Sequence, residues 1–241
     1  GEASRLVARG GADAAIAGGA ESKLNPMGLL RQGLLKRLAA CDGTPPERLC
    51  RPLDAGARGT VIGEGGGLLI VEDLQRAHAR GARVYAELAG FGAACDPQGV
   101  DVTRPTAGGL ELAVRKALDD AGIGAEQVGL IAAHGTAVPS EDQREIDAWR
   151  AALGPAAEKI PAFAMTGAIG SLFAGAGGAG LAACAMALHT QTVPPTANFA
   201  SRDGGLNLAA RPRPAKMQYA VSGAFSVGGQ SGAIVLRRVE G

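Results

Sequence analysis

Residues 128–145 read VGLIAAHGTAVPSEDQRE, and this stretch decides the fold. The apolar run Val128–Ala133 predicts a buried strand. Ser140, followed three residues later by Gln143, has the pattern of a capping box and predicts the start of a helix. His134 lies between the two elements. Ligands of open α/β sheets bind at the carboxyl ends of the strands, which is where His134 is placed. The stretch therefore predicts a strand, a loop with a candidate functional residue, and a helix.

The alternation of strand and helix continues on both sides of this unit. Further strands are predicted near residues 84–89, 162–165, 219–222 and 233–236, and further helices near residues 110–121 and 172–189. The complete order is β-α-β-α-β-α-β-β. Such an order is typical of an α/β protein whose helices cover a sheet.

The residues before 80 hold pieces of a similar unit. A helix is predicted over residues 1–9, although no capping residue precedes it, and a short buried strand over 13–17. Asn25 followed by Pro26 predicts the start of a helix with Leu30, Leu34 and Leu38 at helical spacing, and a strand follows over 68–71. We expect residues 1–80 to close a first half and residues 81–241 to form a complete second half of one domain.

Composition and charge exclude several functions. The 241 residues are 46% hydrophobic and carry a net charge of +1, so nothing favours nucleic acid or an anionic membrane as a partner. The four cysteines and three histidines lack the spacing of a zinc site, and we expect no metal, reduced thiols and a cytoplasmic location. Residues 160–201 contain no charged side chain, but their Gly and Ala content favours a buried strand and helix over a membrane span.

Three features could carry chemistry. His134 could present an imidazole to a carbonyl oxygen, with Thr136 as a further donor, or it could be a structural, hydrogen-bonded histidine. Asp142 and Glu145 lie three residues apart and share a helix face, which could support the site or simply be an exposed acidic face. The loop over residues 225–231 contains two glycines whose N–H groups could approach a substrate, and it could equally be a plain turn.

Together, in this order, these pieces resemble the β-ketoacyl synthase family, which has the thiolase fold, along almost the whole chain. The motifs that carry the resemblance are Gly18-Gly19-Ala20-Glu21-Ser22, Arg51-Pro52-Leu53-Asp54, Arg58-Gly59, Gly63-Glu64-Gly65-Gly66-Gly67, His134-Gly135-Thr136, Val193-Pro194-Pro195-Thr196-Ala197-Asn198 and Gly228-Gly229. The resemblance implies a layered α-β-α-β-α fold with a complete second half and a truncated first half. The chain would then begin within the helix that carries the family's nucleophile.

The resemblance also implies roles for the candidate residues. In the family's enzymes a cysteine takes an acyl chain from an acyl carrier protein or coenzyme A, and two histidines assist condensation with a malonyl unit. That cysteine would precede Gly1, and His134 would be the first histidine, supported by Asp142 and Glu145. The positions that contact the substrate and its oxyanion would be Thr136, Phe225, Val227, Gly228 and Gly229. We expect no resident cofactor, only an acyl group borne on phosphopantetheine.

Departures from the family pattern argue against ordinary condensation. Counting back from Val193, the family's lysine falls on Thr166 and its second histidine on Ser171. Neither side chain supplies a cation or an imidazole, so we expect decarboxylation by the usual route to be impaired. Val138 replaces a threonine that usually contacts phosphopantetheine, and Val227 replaces a gating phenylalanine.

The pattern resembles the chain-length-factor partners of type II polyketide synthases. These keep the fold without the condensing residues and pair with an active ketosynthase, although they have often lost the histidine corresponding to His134. The first hypothesis is thus a non-condensing subunit that shapes an acyl-chain pocket. The alternative is a divergent catalytic ketosynthase or acyltransferase with its nucleophile on an upstream segment. Expected partners are that segment, a ketosynthase or a second copy of the chain, and an acyl carrier protein.

Overall fold

The computed structural model describes residues 1–96 and 108–239. Its helices and strands, in chain order, are α1 (Glu2–Ala8), β1 (Ala14–Ser22), α2 (Pro26–Leu34), β2 (Glu64–Glu72), α3 (Leu74–Ala79), β3 (Glu87–Cys95), α4 (Gly108–Ala121), β4 (Val128–Ala133), α5 (Pro139–Leu153), β5 (Ala162–Ala164), α6 (Thr166–Ile169), α7 (Ala176–Thr190), β6 (Thr192–Val193), β7 (Arg213–Pro214), β8 (Tyr219–Phe225) and β9 (Gln230–Arg237). Short 3-10 turns cover Pro46–Arg48, Ala125–Gln127, Gly154–Glu158 and Phe173–Gly175.

A mixed five-stranded sheet forms the centre of the fold. Its strand order is β3-β9-β8-β4-β5, with β8, β4 and β5 parallel and with β9 antiparallel to both β3 and β8. All five strands come from the part of the chain after residue 80, in the predicted alternation with helices. The predicted α/β class is confirmed.

Both faces of this sheet are buried. Alternate residues of β4 point to opposite faces, so Ile131 packs in a cluster with Ile146 and Trp149, while Leu130 packs with Leu181 and its neighbours. Helices α4 and α5 therefore cover one face, and α7 covers the other. Strand β4 is therefore buried on both faces. Its carboxyl end leads directly into the loop of the candidate site.

Strands β1 and β2 form a separate antiparallel pair on the far side of α7. Glycines let the main chains of β2 and α7 approach closely. A Cβ at Gly67 would overlap the main chain of Gly178 and Ala179, and a Cβ at Gly178 would overlap the carbonyl of Gly67. The layers of the described chain are thus α4 and α5, the large sheet, α7, and the two-stranded sheet.

The uncharged stretch predicted as a buried strand and helix forms β5 and α7. By length and mean hydropathy alone, Phe173–Thr190 could cross a membrane. In the structure it contacts strands of both sheets, and Leu181, Cys184 and Leu188 are buried. The helix begins as a 3-10 turn at Phe173 and becomes α-helical at Ala176, four residues later than predicted.

Two predictions for the first 80 residues are wrong in detail. The strand predicted as buried is longer, and only alternate residues face α7, so Ile16 is 75% exposed. Helix α2 ends at Leu34 and does not reach Leu38, because Lys36 adopts a left-handed conformation with φ 54°. Leu38 instead forms a bridge with Thr60.

Two details of the second half also differ from the predictions. The capping box is absent: α5 begins at Pro139 after Val138, without a side-chain cap. Asp142, in the first turn, instead accepts N–H groups of the preceding loop. Strand β3 begins at Glu87, later than predicted, and continues to Cys95 because it pairs with β9 over that length.

Candidate active site

Glu145 holds the main chain at the end of β4. Its carboxylate accepts the N–H groups of His134 at 2.6 Å and Gly135 at 2.7 Å, and the indole N–H of Trp149 at 3.1 Å. Glu145 is only 1% exposed, and this burial raises its pKa to about 7, although the three donors act in the opposite direction. The side chain thus fixes where the loop after β4 begins.

Asp142 holds the next part of the same loop. Its carboxylate accepts the N–H groups of Thr136 at 2.9 Å, Ala137 at 3.1 Å and Leu53 at 2.6 Å. Burial raises the pKa of Asp142 to about 6, against the effect of these donors. The interpretation of Asp142 and Glu145 as an exposed acidic face is therefore wrong, since both are buried and position the His134 loop.

The loop has an unusual backbone. Gly135 and Ala137 both lie in the left-handed region, with φ 54° and 64°. A Cβ at Gly135 would lie 2.8 Å from Cβ of Ala164, so glycine is required there for space as well as for conformation. The carboxylates of α5 stabilise this conformation by accepting the loop's N–H groups.

The imidazole of His134 packs edge-on against the ring of Phe225, with 4.8 Å between ring centroids. Burial lowers the pKa of His134 from 6.5 to about 4; the nearby Glu141 carboxylate opposes this shift and Arg37 adds to it. His134 is therefore neutral near pH 7. A neutral imidazole can donate a hydrogen bond to a carbonyl oxygen or accept a proton.

Two cavities meet at His134. The larger has a volume of about 20 Å³ and lies between β4, α6, α7 and β8. It is lined by Ala132, Ala133, His134, Met165, Thr166, Ile169, Gly170, Leu172, Ala176, Gly177, Gly180, Ser222, Gly223 and Ala224. The smaller, here called the second opening, has a volume of about 10 Å³ and is lined by Arg37, His134, Thr136, Glu141, Phe225, Ser226 and Val227. An imidazole at this junction can reach a group in either cavity.

The two positions where the sequence departs from the family pattern have different surroundings. Thr166 lines the larger cavity, and its hydroxyl donates to the carbonyl of His134 at 3.1 Å. Ser171 is held by its main chain: its N–H donates to Val61 at 2.7 Å and its carbonyl accepts the N–H of Gly63 at 3.0 Å. Only Thr166 of the pair lines the cavity beside His134.

The glycine loop is the turn between β8 and β9. Gly228 and Gly229 have φ 118° and 88°, and the N–H of Gly229 donates to the carbonyl of Ser226 at 3.0 Å. Phe225 and Val227 reach the second opening, and Thr136 lines it from the other side. The structure thus brings Thr136, Phe225 and Val227 to His134, while the N–H of Gly229 is used within the turn.

Sequence reasoning missed two contributors to the site. Arg37 reaches the second opening and pairs with Glu141 at 2.8 Å, a contact between residues 104 positions apart that no local pattern indicates. Asn198, quoted above only as part of a motif, donates to the carbonyls of Cys50 at 2.9 Å and Gly167 at 3.3 Å. It ties the segment after Thr166 to the loop before Pro52. Among residues 1–96 and 108–239, no three potential metal ligands cluster.

The sequence matches two family descriptions over most of its length. The N-terminal domain of β-ketoacyl synthase matches residues 1–77, and the C-terminal domain matches residues 85–200. The chain therefore belongs to the β-ketoacyl synthase family.

Curated proteins are similar to the chain over almost its whole length. The chain is 36% identical over 244 residues to a 3-oxoacyl-[acyl-carrier-protein] synthase 2 of Vibrio cholerae, covering 99% of this chain and 59% of that protein. It is 33% identical over 243 residues to the protein of the same name from Staphylococcus aureus, covering 100% of this chain and 58% of that one. The chain thus spans somewhat more than half the length of these relatives.

Solved structures agree on the thiolase-like fold. A type II polyketide ketosynthase complex with its acyl carrier protein superposes with a TM-score of 0.91 at 28% identity, over 100% of this chain and 60% of that one. The ishigamide ketosynthase/chain length factor superposes with a TM-score of 0.86 at 28% identity, covering 98% of this chain and 56% of that one. A β-ketoacyl synthase of Burkholderia phymatum superposes with a TM-score of 0.90 at 28% identity, covering 99% of this chain and 58% of that one.

Proposed function

We propose that this chain is part of a non-condensing, chain-length-factor-like subunit of polyketide or fatty-acid biosynthesis. The subunit pairs with an active ketosynthase and shapes the pocket that receives the growing acyl chain. The acyl chain arrives on the phosphopantetheine arm of an acyl carrier protein or on coenzyme A. The subunit works in the cytoplasm.

The observation that carries the proposal is the position of Thr166. Where the family's enzymes have a lysine, Thr166 lines the cavity beside His134 and gives its hydroxyl to a main-chain carbonyl. It offers no cation to a malonyl carboxylate, and Ser171 offers no second imidazole. His134 alone can donate one hydrogen bond to an oxyanion, half of the pair that the resemblance implies.

The lining of the larger cavity, rather than its volume, supports a role in holding an acyl chain. Its lining is mostly Ala, Gly, Leu, Ile and Met, an apolar surface suited to an alkyl or polyketide chain. Cβ atoms added at Gly177 and Gly180 would come no closer than 3.8 Å and 3.9 Å to a neighbour. Both positions therefore have room for a methyl group that would reduce the space available to the acyl chain.

The test measures product length. Gly177→Ala and Gly180→Ala should shorten the product made by the full-length protein with its ketosynthase, because both methyl groups enter the cavity. Gly33→Ala, in exposed α2 with no neighbour closer than 4.0 Å, is the matched control and should leave product length unchanged. Unchanged product length in both cavity variants, with the complex intact by native mass spectrometry, would refute chain-length control.

The alternative is a divergent catalytic ketosynthase or acyltransferase with its nucleophile on an upstream segment. Two observations favour it: His134 is retained in a neutral form, and the curated relatives are named as synthases. The alternative predicts an acylated cysteine on the family-length polypeptide after incubation with acyl carrier protein substrates. Intact-mass and peptide analysis of every chain in the purified complex distinguishes the two functions.

A further inference from the structure

The second opening beside His134 contains a nearly buried ion pair. Arg37 Nη2 lies 2.8 Å from Glu141 Oε2, and their side chains are only 10% and 12% exposed. The other terminal nitrogen of Arg37 donates to Gln32 at 3.0 Å. Arg37 Nε is buried and has no hydrogen-bond partner. The guanidinium thus faces the opening with its charge already neutralised by a residue of the same chain.

This pair decides the charge at the opening. Among the residues that line either cavity in the described chain, Arg37 is the one cation and Glu141 the one carboxylate. An anion entering the opening would meet the Glu141 carboxylate beside Arg37, so it would lose hydration without a net electrostatic attraction in return. An uncharged group meets a site of zero net charge and loses nothing to repulsion.

We infer that Glu141 selects ligands by charge at the second opening: it keeps Arg37 in an internal ion pair, so that the opening admits uncharged acyl thioesters and excludes anionic ones. The inference rests on the proposed acyl-binding function and deepens it. Thr166 offers no cation to a malonyl carboxylate, and Glu141 cancels the attraction that Arg37 would otherwise exert on one. The two residues act on different sides of His134.

The first test measures malonate binding through the NMR signals of the His134 ring. Wild-type protein should show no saturable shift with malonate, whereas Glu141→Gln should bind it at least about tenfold more tightly, because the charge of Arg37 is then uncompensated. Arg37→Gln/Glu141→Gln should lose this gain. Glu111→Gln, the same change in an ion pair on α4, is the matched control and should behave as wild type. Equal malonate affinity of wild type and Glu141→Gln would overturn the inference.

A second measurement needs no variant. Acetyl- and malonyl-N-acetylcysteamine thioesters are titrated into wild-type protein, and only the uncharged acetyl thioester should shift the His134 signals. Comparable shifts from both thioesters would overturn the inference. If neither thioester binds while malonate still binds Glu141→Gln selectively, the charge selection is supported and the proposed acyl pocket fails. The two proposals are therefore tested separately.

Discussion

The hydroxyl of Thr166 donates to the main-chain carbonyl of His134 at 3.1 Å. This contact joins the start of α6 to the end of β4 at the wall of the larger cavity. It gives Thr166, which we expect at the family's lysine position, a structural role beside His134. The predictions below begin from this contact and from the carboxylates that hold the same loop.

Replacing Thr166 by valine should lower the free energy of unfolding by about 1 kcal/mol, because the hydroxyl is removed while the shape is kept. Urea denaturation measures the change. Thr190→Val is the matched control: its hydroxyl also donates to a carbonyl, that of Met186, but on the exposed surface of α7. Equal effects of the two substitutions would show that the Thr166 contact has no special structural role.

Glu145→Gln should lower the free energy of unfolding by roughly 2–3 kcal/mol near pH 5, because both oxygens of the carboxyl can accept an N–H even when it is protonated, whereas an amide nitrogen cannot. The pKa of Glu145 rises on folding from 4.5 to about 7, so the folded chain binds its proton more tightly. Its contribution to stability is complete below about pH 4.5 and is lost as pH rises towards 7. The advantage of wild type over Glu145→Gln should therefore shrink between pH 5 and pH 7.5.

Urea denaturation of both proteins at these two pH values provides the measurement, and Glu111→Gln, at a half-buried position on α4, serves as the control. If the stability difference between wild type and Glu145→Gln grew with pH, the three N–H donors would outweigh burial, and the pKa of Glu145 would be lowered on folding.

The ring of His134 should remain neutral across the physiological range. NMR titration of the ring signals should give a midpoint near pH 4, because burial lowers its pKa from 6.5. The histidines at positions 78 and 189 are exposed and provide signals for comparison within the same sample. A midpoint at or above 6.5 would contradict the burial of the His134 imidazole.

Gly67→Ala should destabilise the chain by several kcal/mol, or separate β2 from α7, because its methyl group would overlap the main chain of Gly178 and Ala179. Gly33→Ala is the matched control and should be neutral or stabilising by up to about 1 kcal/mol, since it lies in an open helix position. Thermal unfolding compares the two. Similar melting temperatures would refute the close packing of β2 on α7.

The order of strands and helices in the second half was predictable because each element carries its own periodicity. Val128–Ala133 is an example: the predicted strand and β4 have the same bounds. The local pattern failed where distant residues determine structure. Ser140 and Gln143 look like a capping box, but Asp142 accepts three N–H groups, one of them from Leu53, and α5 begins without that cap.

The candidate site was only partly predictable for the same reason. His134 follows a strand, which the sequence shows directly. The burial of Glu145, the pairing of Arg37 with Glu141 and the contact of Thr166 with His134 depend on segments that meet only in the folded chain. A local sequence pattern contains these residues but does not show which distant residues they contact.

The loss of condensing chemistry is the central claim, and carbon dioxide release from malonyl-acyl carrier protein tests it most directly. The assay uses the family-length protein together with the ketosynthase that we propose as its partner, and compares this complex with one that carries His134→Ala in this chain. Our account predicts the same rate for both complexes, since Thr166 and Ser171 leave this chain without the usual decarboxylating residues. Turnover that is lost on His134→Ala, in a complex that remains intact, would contradict it.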